Sequence, residues 1–458
     1  MRVTRGGESK AHGSIIGAIV AAAAIAAGSI AASASSPAVD AAFRKFWDAG
    51  DVGEAARAAD AVVRSGVTFE EALGRLKAGR NYSAQAKRGT VRLSRRQGGR
   101  EFFYDLNVPD TYDPGRRYQV RFHLHGGVYG RDTSEPRGNG SIALMGAEQI
   151  YVIPYSWRDA PWWGEAQVEN LRGVLDQIKR SYNVDENRVA LAGVSDGGTG
   201  AYYVAMRDTT PYSSFLPLIG YLMVLRNPSI ADAGLLFPNN LRNKPFFVVN
   251  GGQDQLYPTA VVGPSVDHLK AGGVAVDYHP QPNGGHNTRW WPEVKDLFES
   301  FVHDHPRDPH PARLTWEASV TDRGSRAHWL AIDRVASAPT SPALQPDLNQ
   351  MARPRPPGYA GKQIPPLELF EYDRPHGRVD LVRTGNTVEA ATSGVAEFTL
   401  LLSPDVFDFA QPVKVVANGR VLFEGRMKKS LATLMRWAAR DNDRTMLFGA
   451  ELSIKVGS

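Results

Sequence analysis

The sequence predicts an α/β fold: a mostly parallel sheet covered by helices, with a short helical segment before it and a β-rich region after it. Three observations carry this. Between residues 88 and 305, short apolar runs that end in turn residues alternate with stretches of helical spacing, which is how a parallel sheet clothed on both faces reads. One of the apolar runs, "RVALAG", passes directly through "VSDGG" into an amphipathic helix. After His305 the alternation gives way to strand after strand.

The elements are justified in chain order. Arg2, Arg5 and Lys10 precede an Ala/Ile-rich run from Ile15 to Ala32, and "ASASS" follows. Charge, apolar run, then small residues is the order of a secretory signal peptide, here residues 1–34, with Ala32 and Ala34 as the small residues of the cleavage site. The expected mature chain begins near Ser35 and is secreted or periplasmic. Retention of the segment as a membrane anchor is the alternative. No other run is long and apolar enough to cross a bilayer. No cysteine follows the run, so a lipoprotein anchor is excluded.

Residues 35–87 predict small packing helices: Phe43, Phe46 and Trp47 share a face, and "TFEEALGRLKAG" opens on a threonine cap with acidic residues in its first turn. Residues 88–305 form the sheet region. "GTVRLSR", "REFFYDLNVP", "YQVRFHLHGG", "EQIYVIPYS", "RVALAGVS", "KPFFVVNGG" and "AVDYHPQP" read as strands. "AQVENLRGVLDQIKRSYN", "DGGTGAYYVAMR", "SVDHLKAGG" and "WPEVKDLFESFVHDH" read as helices. Residues 306–336 predict a β-hairpin from "ARLTWEASV" and "AHWLAIDRV". Residues 337–367, rich in proline and polar residues, predict a linker or long loop. Residues 368–458 predict a β-rich accessory domain with a tight turn at "ANGR" and one helix, "SLATLMRWAAR".

Composition narrows the function. A chain of 458 residues exceeds one ordinary core. Hydrophobic residues at 42% and charged residues at 22% are ordinary for a folded protein. The net charge of +5 is scattered, with no basic stripe interleaved with aromatics, which speaks against nucleic-acid binding. The absence of cysteine excludes disulfides, thiolate metal sites and a cysteine nucleophile together.

The chemistry centres on Ser195. Gly193, Ser195 and Gly197 meet the pattern G-x-S-x-G between a buried strand and a helix, where a serine sits on a sharp turn above the sheet edge. A serine hydroxyl needs a base, and the base needs a carboxylate to orient it. Of the downstream histidines, His286 lies in the glycine-bearing loop "PNGGHNT" after a strand, whereas His268 sits in a helix, His279 on a strand, and His303 and His305 at a helix end. Asp254 follows a buried strand in "GGQDQLYP", and strand C-terminal ends are where such sheets gather catalytic groups. Asp232, Asp267 and Asp277 are the alternatives. An oxyanion needs two amide donors: that of Asp196, and one from the loop after "RFHLHGG", with Gly127 favoured and Val128 next. His123 and His125 share a strand face, but no acidic or histidine cluster completes a metal site with them. Trp162, Trp163 and Trp290 are the candidate substrate contacts, and Arg158 or Arg289 could hold a carboxylate.

In the order "HLHGG", "GVSDGG", "GGQDQLYP", "NGGHNT", the sequence resembles the α/β-hydrolase superfamily, over roughly residues 88–305. It looks most like the secreted esterase and predicted-peptidase group, with polyhydroxybutyrate-depolymerase-like, feruloyl-esterase-like and prolyl-oligopeptidase-like catalytic domains. Polyester depolymerases usually keep cysteines near the site, and this chain has none. The resemblance implies an α/β-hydrolase fold and a two-step acyl transfer through an acyl-enzyme, with no cofactor and with Ser195, His286 and Asp254 as nucleophile, base and orienting acid. The expected partner is a small-molecule or polysaccharide-linked ester, with no nucleic acid and no membrane partner unless the N-terminal segment is retained. A serine peptidase without a propeller, and a non-catalytic binding protein on the same fold, are the competing expectations. About 50 residues lie between the signal segment and the sheet, too few for propeller blades.

Overall fold

Eight strands of the central region hydrogen-bond into one sheet in the computed structural model, which is described for residues 36–133, 144–319, 324–353 and 364–457. The expected signal segment lies outside the described residues. The strands are β1 (Gly89–Gln97), β2 (Arg100–Val108), β3 (Tyr118–Leu124), β4 (Ile150–Pro154), β5 (Val184–Val194), β6 (Ser214–Leu218), β7 (Phe246–Gly251) and β8 (Val276–Gln281). Their order is β1-β2-β4-β3-β5-β6-β7-β8, and β2 alone runs against the others. This order, with one reversed strand near an edge, is that of an α/β-hydrolase fold. β6, "SFLPL", is a strand the sequence pattern did not reveal, because five residues with a proline in fourth place carry no periodicity.

Successive side chains of the sheet feed opposite layers. Val120, Phe122, Leu191, Phe215 and Phe246 pack under α4 (Glu165–Ser181), α5 (Asp196–Arg207) and α6 (Thr259–Ala271). Ala190, Ala192, Leu216, Phe247 and Val249 face α7 (Trp291–Asp304). Burial on both faces explains why β5, β6 and β7 read as unbroken apolar runs rather than alternating ones.

The C-terminal region departs from expectation. β9 (Arg313–Ala318) and β11 (Leu330–Val335) do not form a hairpin. β9 pairs with β14 (Gly377–Thr384), within a five-stranded sheet that includes β15 (Thr387–Ser393), β17 (Val413–Ala417) and β18 (Arg420–Gly425). β11 pairs with β10 (Arg326–Ala327) and β16 (Val395–Leu402), beside β19 (Ala450–Lys455). The two sheets share one core, with Leu314 and Trp316 entering it from one side and Leu330 and Ile332 from the other. Alternation fixes which face of a strand is apolar, but not which strand it pairs with.

The expected linker, residues 337–367, is strapped down where it is described. Leu348 is buried in the core of the central sheet and its amide donates to Asn239 Oδ1 at 3.0 Å. Two short strands, β12 (Gln350–Met351) and β13 (Leu367–Glu368), pair with each other, and Asn349 exchanges two 2.9 Å hydrogen bonds with Phe370.

The N-terminal helices are α1 (Pro37–Trp47), which opens on a proline, and α2 (Val52–Arg64) and α3 (Phe69–Ala78), whose caps Asp51 and Thr68 accept the Glu54 and Glu71 amides at 2.8 and 3.2 Å. Their apolar faces do not close on one another alone. Val39, Phe43, Val62 and Leu76 cluster with Leu434, Met435 and Ala438 of α8 (Leu431–Asp441), near the other end of the chain. No helix among the described residues is long and apolar enough to cross a membrane.

The central sheet region meets the β-rich region at buried charges. Arg307 donates to Asn187 Oδ1 and the Thr210 carbonyl on one side, and to Asp443 and Thr445 on the other. Burial opposes the Asp443 charge, but the Arg307 and Lys179 cations outweigh it and hold the carboxyl well below the usual range. Arg307→Ala leaves Asp443 buried beside Lys179 alone, and is expected to lower unfolding free energy in urea by about 3–5 kcal/mol. Destabilisation below about 1 kcal/mol would show that the junction rests on apolar contact instead.

Burial holds His310 and His125 down to about 4 and His123 to about 3, and pushes His328 well below its usual range. The folded chain refuses protons that the unfolded chain accepts below about pH 6.5, so each histidine costs about 1.4 kcal/mol of stability per pH unit below that point, until its own folded-state value is reached. Melting temperatures measured from pH 7.5 to 4.5 should be level above pH 7 and fall steadily below 6.5. A flat profile down to pH 5 would contradict this.

Candidate active site

The turn between β5 and α5 exists because four glycines let two backbones nearly touch. A Cβ on Gly193 would lie 2.0 Å from the Gly197 carbonyl oxygen, and one on Gly197 would lie 2.0 Å from that of Leu124. Gly198 and Gly200 likewise sit against Leu218 O and the Trp162 side chain. This contact forces Ser195 to φ 57°, ψ −117°, a conformation that costs about 1–3 kcal/mol in a non-glycine residue. The Ser195 amide is tied to Leu218 O at 2.9 Å, which holds the turn against the neighbouring strand. Its hydroxyl stands at the C-terminal edge of the sheet, at the N-terminus of α5, where amides and the helix dipole favour negative charge.

Three loops from separate strand ends meet there. Ser195 Oγ is 2.8 Å from His286 Nε2, and His286 Nδ1 is 2.8 Å from Asp254 Oδ2. Asp254 is 3% exposed, and its other oxygen accepts the Leu256 and Tyr257 amides at 2.8 and 2.9 Å. With Asp254 accepting, His286 carries its proton on Nδ1 and leaves Nε2 to receive the serine proton. Asp232, Asp267 and Asp277 do not approach His286: Asp232 pairs with Arg374 and Asp277 with His279, and Asp267 lies on α6.

The loop after β3 closes the site from the opposite side. Gly126 packs against Ser195, where a Cβ would lie 3.0 Å from Ser195 Cβ. Gly127 takes a left-handed conformation, φ 68°, ψ 40°. Among the described residues its amide donates to no protein acceptor, nor does that of Asp196. The Val128 amide is engaged, donating to Asp196 Oδ2 at 2.8 Å. His125 lies beneath the loop. Its Nε2 accepts the Ser156 amide at 3.0 Å, so its Nδ1 carries the proton and donates to Gly126 O at 2.8 Å. Both nitrogens are thus occupied, and burial keeps the ring neutral, at about 4. His123 is buried against Tyr151, ring centroids 5.6 Å apart. Among the described residues no group of three or more His, Asp or Glu side chains is placed to hold a metal.

The tryptophans sit elsewhere than expected. Trp162 is fully buried and donates its indole N–H to His125 O at 2.8 Å, packing under the loop rather than into the site. Trp290 is 5% exposed, in the layer behind the sheet with Leu216 and Phe247. Trp163 is 4% exposed and supports Tyr129, which is 43% exposed at 5.8 Å from it. Large rings in a strand-end loop bury themselves where a helix offers a surface, and sequence alone does not show which ring stays out. The rings beside His286 are Tyr257, edge-on at 5.7 Å, and Tyr221, 5.9 Å from Tyr257. Tyr257 lies within "GGQDQLYP", three residues after Asp254, and that adjacency was its only signal. Arg158 is engaged by Asp132 at 3.1 Å and by the Tyr129 carbonyl at 3.1 Å, whereas Arg289 is exposed.

No family model matches this chain, and no curated protein does. Among solved structures it is similar to a thermostable esterase at 20% identity and TM-score 0.39, over 48% of this chain and 63% of that one. It is similar to Thermogutta terrifontis esterase 2 phosphorylated by paraoxon at 12% identity and TM-score 0.39, over 47% and 94%. Est1E from Butyrivibrio proteoclasticus gives 17% identity and TM-score 0.36, over 47% and 98%.

Gly193→Ala drives a methyl group into the Gly197 backbone and is expected to cost at least about 3 kcal/mol in chemical denaturation. A cost below 1 kcal/mol would mean that β5 and α5 can separate without loss.

Proposed function

We propose that the chain is an exported serine hydrolase that cleaves a carboxylic ester through an acyl-enzyme. The observation that carries the reading is the pair of 2.8 Å contacts running from Asp254 through His286 to Ser195 at a strained strand-to-helix turn. Export is supported by the order of charge, apolar run and small residues over 1–34.

Ser195 Oγ attacks the ester carbon as its proton passes to His286 Nε2, giving a tetrahedral intermediate and an imidazolium held by Asp254. The oxyanion accepts from the amides of Gly127 and Asp196, the two free donors that flank the hydroxyl. Collapse breaks the bond to the leaving oxygen, which takes the proton from His286 and departs as an alcohol. Water then attacks the acyl-serine, gives a proton to His286, and the second collapse returns that proton to Ser195 Oγ and releases the acid. Tyr221, Tyr257 and Tyr129 supply apolar faces at the mouth for the acyl or alcohol portion of a small or polysaccharide-linked ester.

The test is kcat/KM on an aryl ester and on the matched amide, with Ser195→Ala as the blank. Ester turnover should far exceed amide turnover and fall at least about 10⁴-fold in the variant. Undiminished turnover in Ser195→Ala would remove the nucleophile, and comparable amide cleavage would make the protein a peptidase.

A further inference from the structure

The residue after Ser195 brings a carboxylate as well as an amide to the site. Asp196 Oδ2 accepts the Val128 N–H at 2.8 Å, which ties the loop after β3 to the first turn of α5. On the other side of Gly127, His125 holds the Gly126 carbonyl at 2.8 Å. Because the peptide group is planar, fixing Gly126 O also fixes the direction of the Gly127 N–H on the same plane. Fixing the Val128 N–H anchors the next plane. The two anchored planes set φ and ψ of Gly127 between them, at the left-handed values found there.

A tie is needed because two adjacent glycines have wide backbone freedom, and Gly126 has no room for a side chain against Ser195. From these contacts we infer that the Asp196 carboxylate is a positioning residue for the oxyanion pocket, holding the Gly127 amide towards the carbonyl oxygen of a substrate bound at Ser195. The inference rests on the reading of Ser195 as nucleophile. A negative charge near a developing oxyanion is unfavourable in itself. The Val128 hydrogen bond and the amides at the start of α5 offset it.

The test compares wild type, Asp196→Ala, Asp196→Asn and Ser195→Ala by two readouts. One is the second-order rate of labelling by a fluorophosphonate, with the modified residue located by peptide mass spectrometry. The other is kcat and KM on an aryl acetate, with melting temperature as the control for folding. Asp196→Ala should lose roughly tenfold to a hundredfold in kcat and in labelling, with KM within about threefold of wild type, since the donor serves the transition state. Asp196→Asn keeps an oxygen that can accept the same N–H and should recover to within about threefold of wild type, or exceed it as the charge is removed. Wild-type rates in Asp196→Ala overturn the inference, as does an Asp196→Asn variant that is folded yet as impaired as Asp196→Ala. If Asp196→Ala does not fold, Asp196→Glu displaces the carboxylate by one methylene: the same kcat loss supports the inference and wild-type turnover overturns it. Labelling of wild type away from Ser195, or turnover retained by Ser195→Ala, would overturn the nucleophile reading itself and is distinguishable from either.

Discussion

Everything at the site depends on how closely β5 and α5 approach. The contact between Gly193 and Gly197 leaves no room for a methyl group, and the turn that joins the two elements must be sharp enough to bring them there. Ser195 absorbs the strain at φ 57°, and in exchange its hydroxyl stands clear of the sheet at a helix N-terminus. The remaining partners are then matters of reach. β7 ends at the acid loop, β8 ends at the histidine loop, and β3 ends at the paired glycines, all at the same edge because the strands that carry them are parallel. A single strained residue type at one turn therefore fixes where three distant loops must deliver their side chains.

The sequence made the polar members of this site legible because their chemistry restricts residue type. A serine between glycines, an aspartate after an apolar strand and a histidine in a glycine loop each stand out from their surroundings, although nothing local states that they meet. The aromatic members were not legible in the same way. Trp162, Trp163 and Trp290 carry the same signal as Tyr129, Tyr221 and Tyr257, and only packing against α5, or behind the sheet, decides which rings are hidden. The α/β alternation predicted the layers, while the strand partners of β9 and β11 stayed hidden because period-two patterning says nothing of pairing. The strap from residue 337 onward read as a linker from its prolines. It is held by backbone hydrogen bonds to Asn239, Arg242 and Arg226, which composition cannot register.

The β-rich region and the central sheet region are joined by charges rather than by an apolar face alone. Arg307, Asp443, Lys179 and Thr445 satisfy one another out of water, beside the neutral His328 and His310. Such a junction is specific, because a misplaced partner leaves a buried charge uncompensated. The loop after β3 uses the same logic on a smaller scale, with His125 held neutral beneath it by burial.

The packing of α1, α2 and α3 against α8 has a consequence for the order in which the protein can form. Helices α1, α2 and α3 have apolar faces whose partner, α8, is made more than 350 residues later. Until Leu434, Met435 and Ala438 arrive, Phe43, Val62 and Leu76 have no core to enter. The eight-stranded sheet lies between these two segments in the chain, so it can assemble while they are still apart. Docking of α8 then completes this core, and a chain interrupted between α3 and α8 leaves the apolar face of α1, α2 and α3 without the partner that covers it.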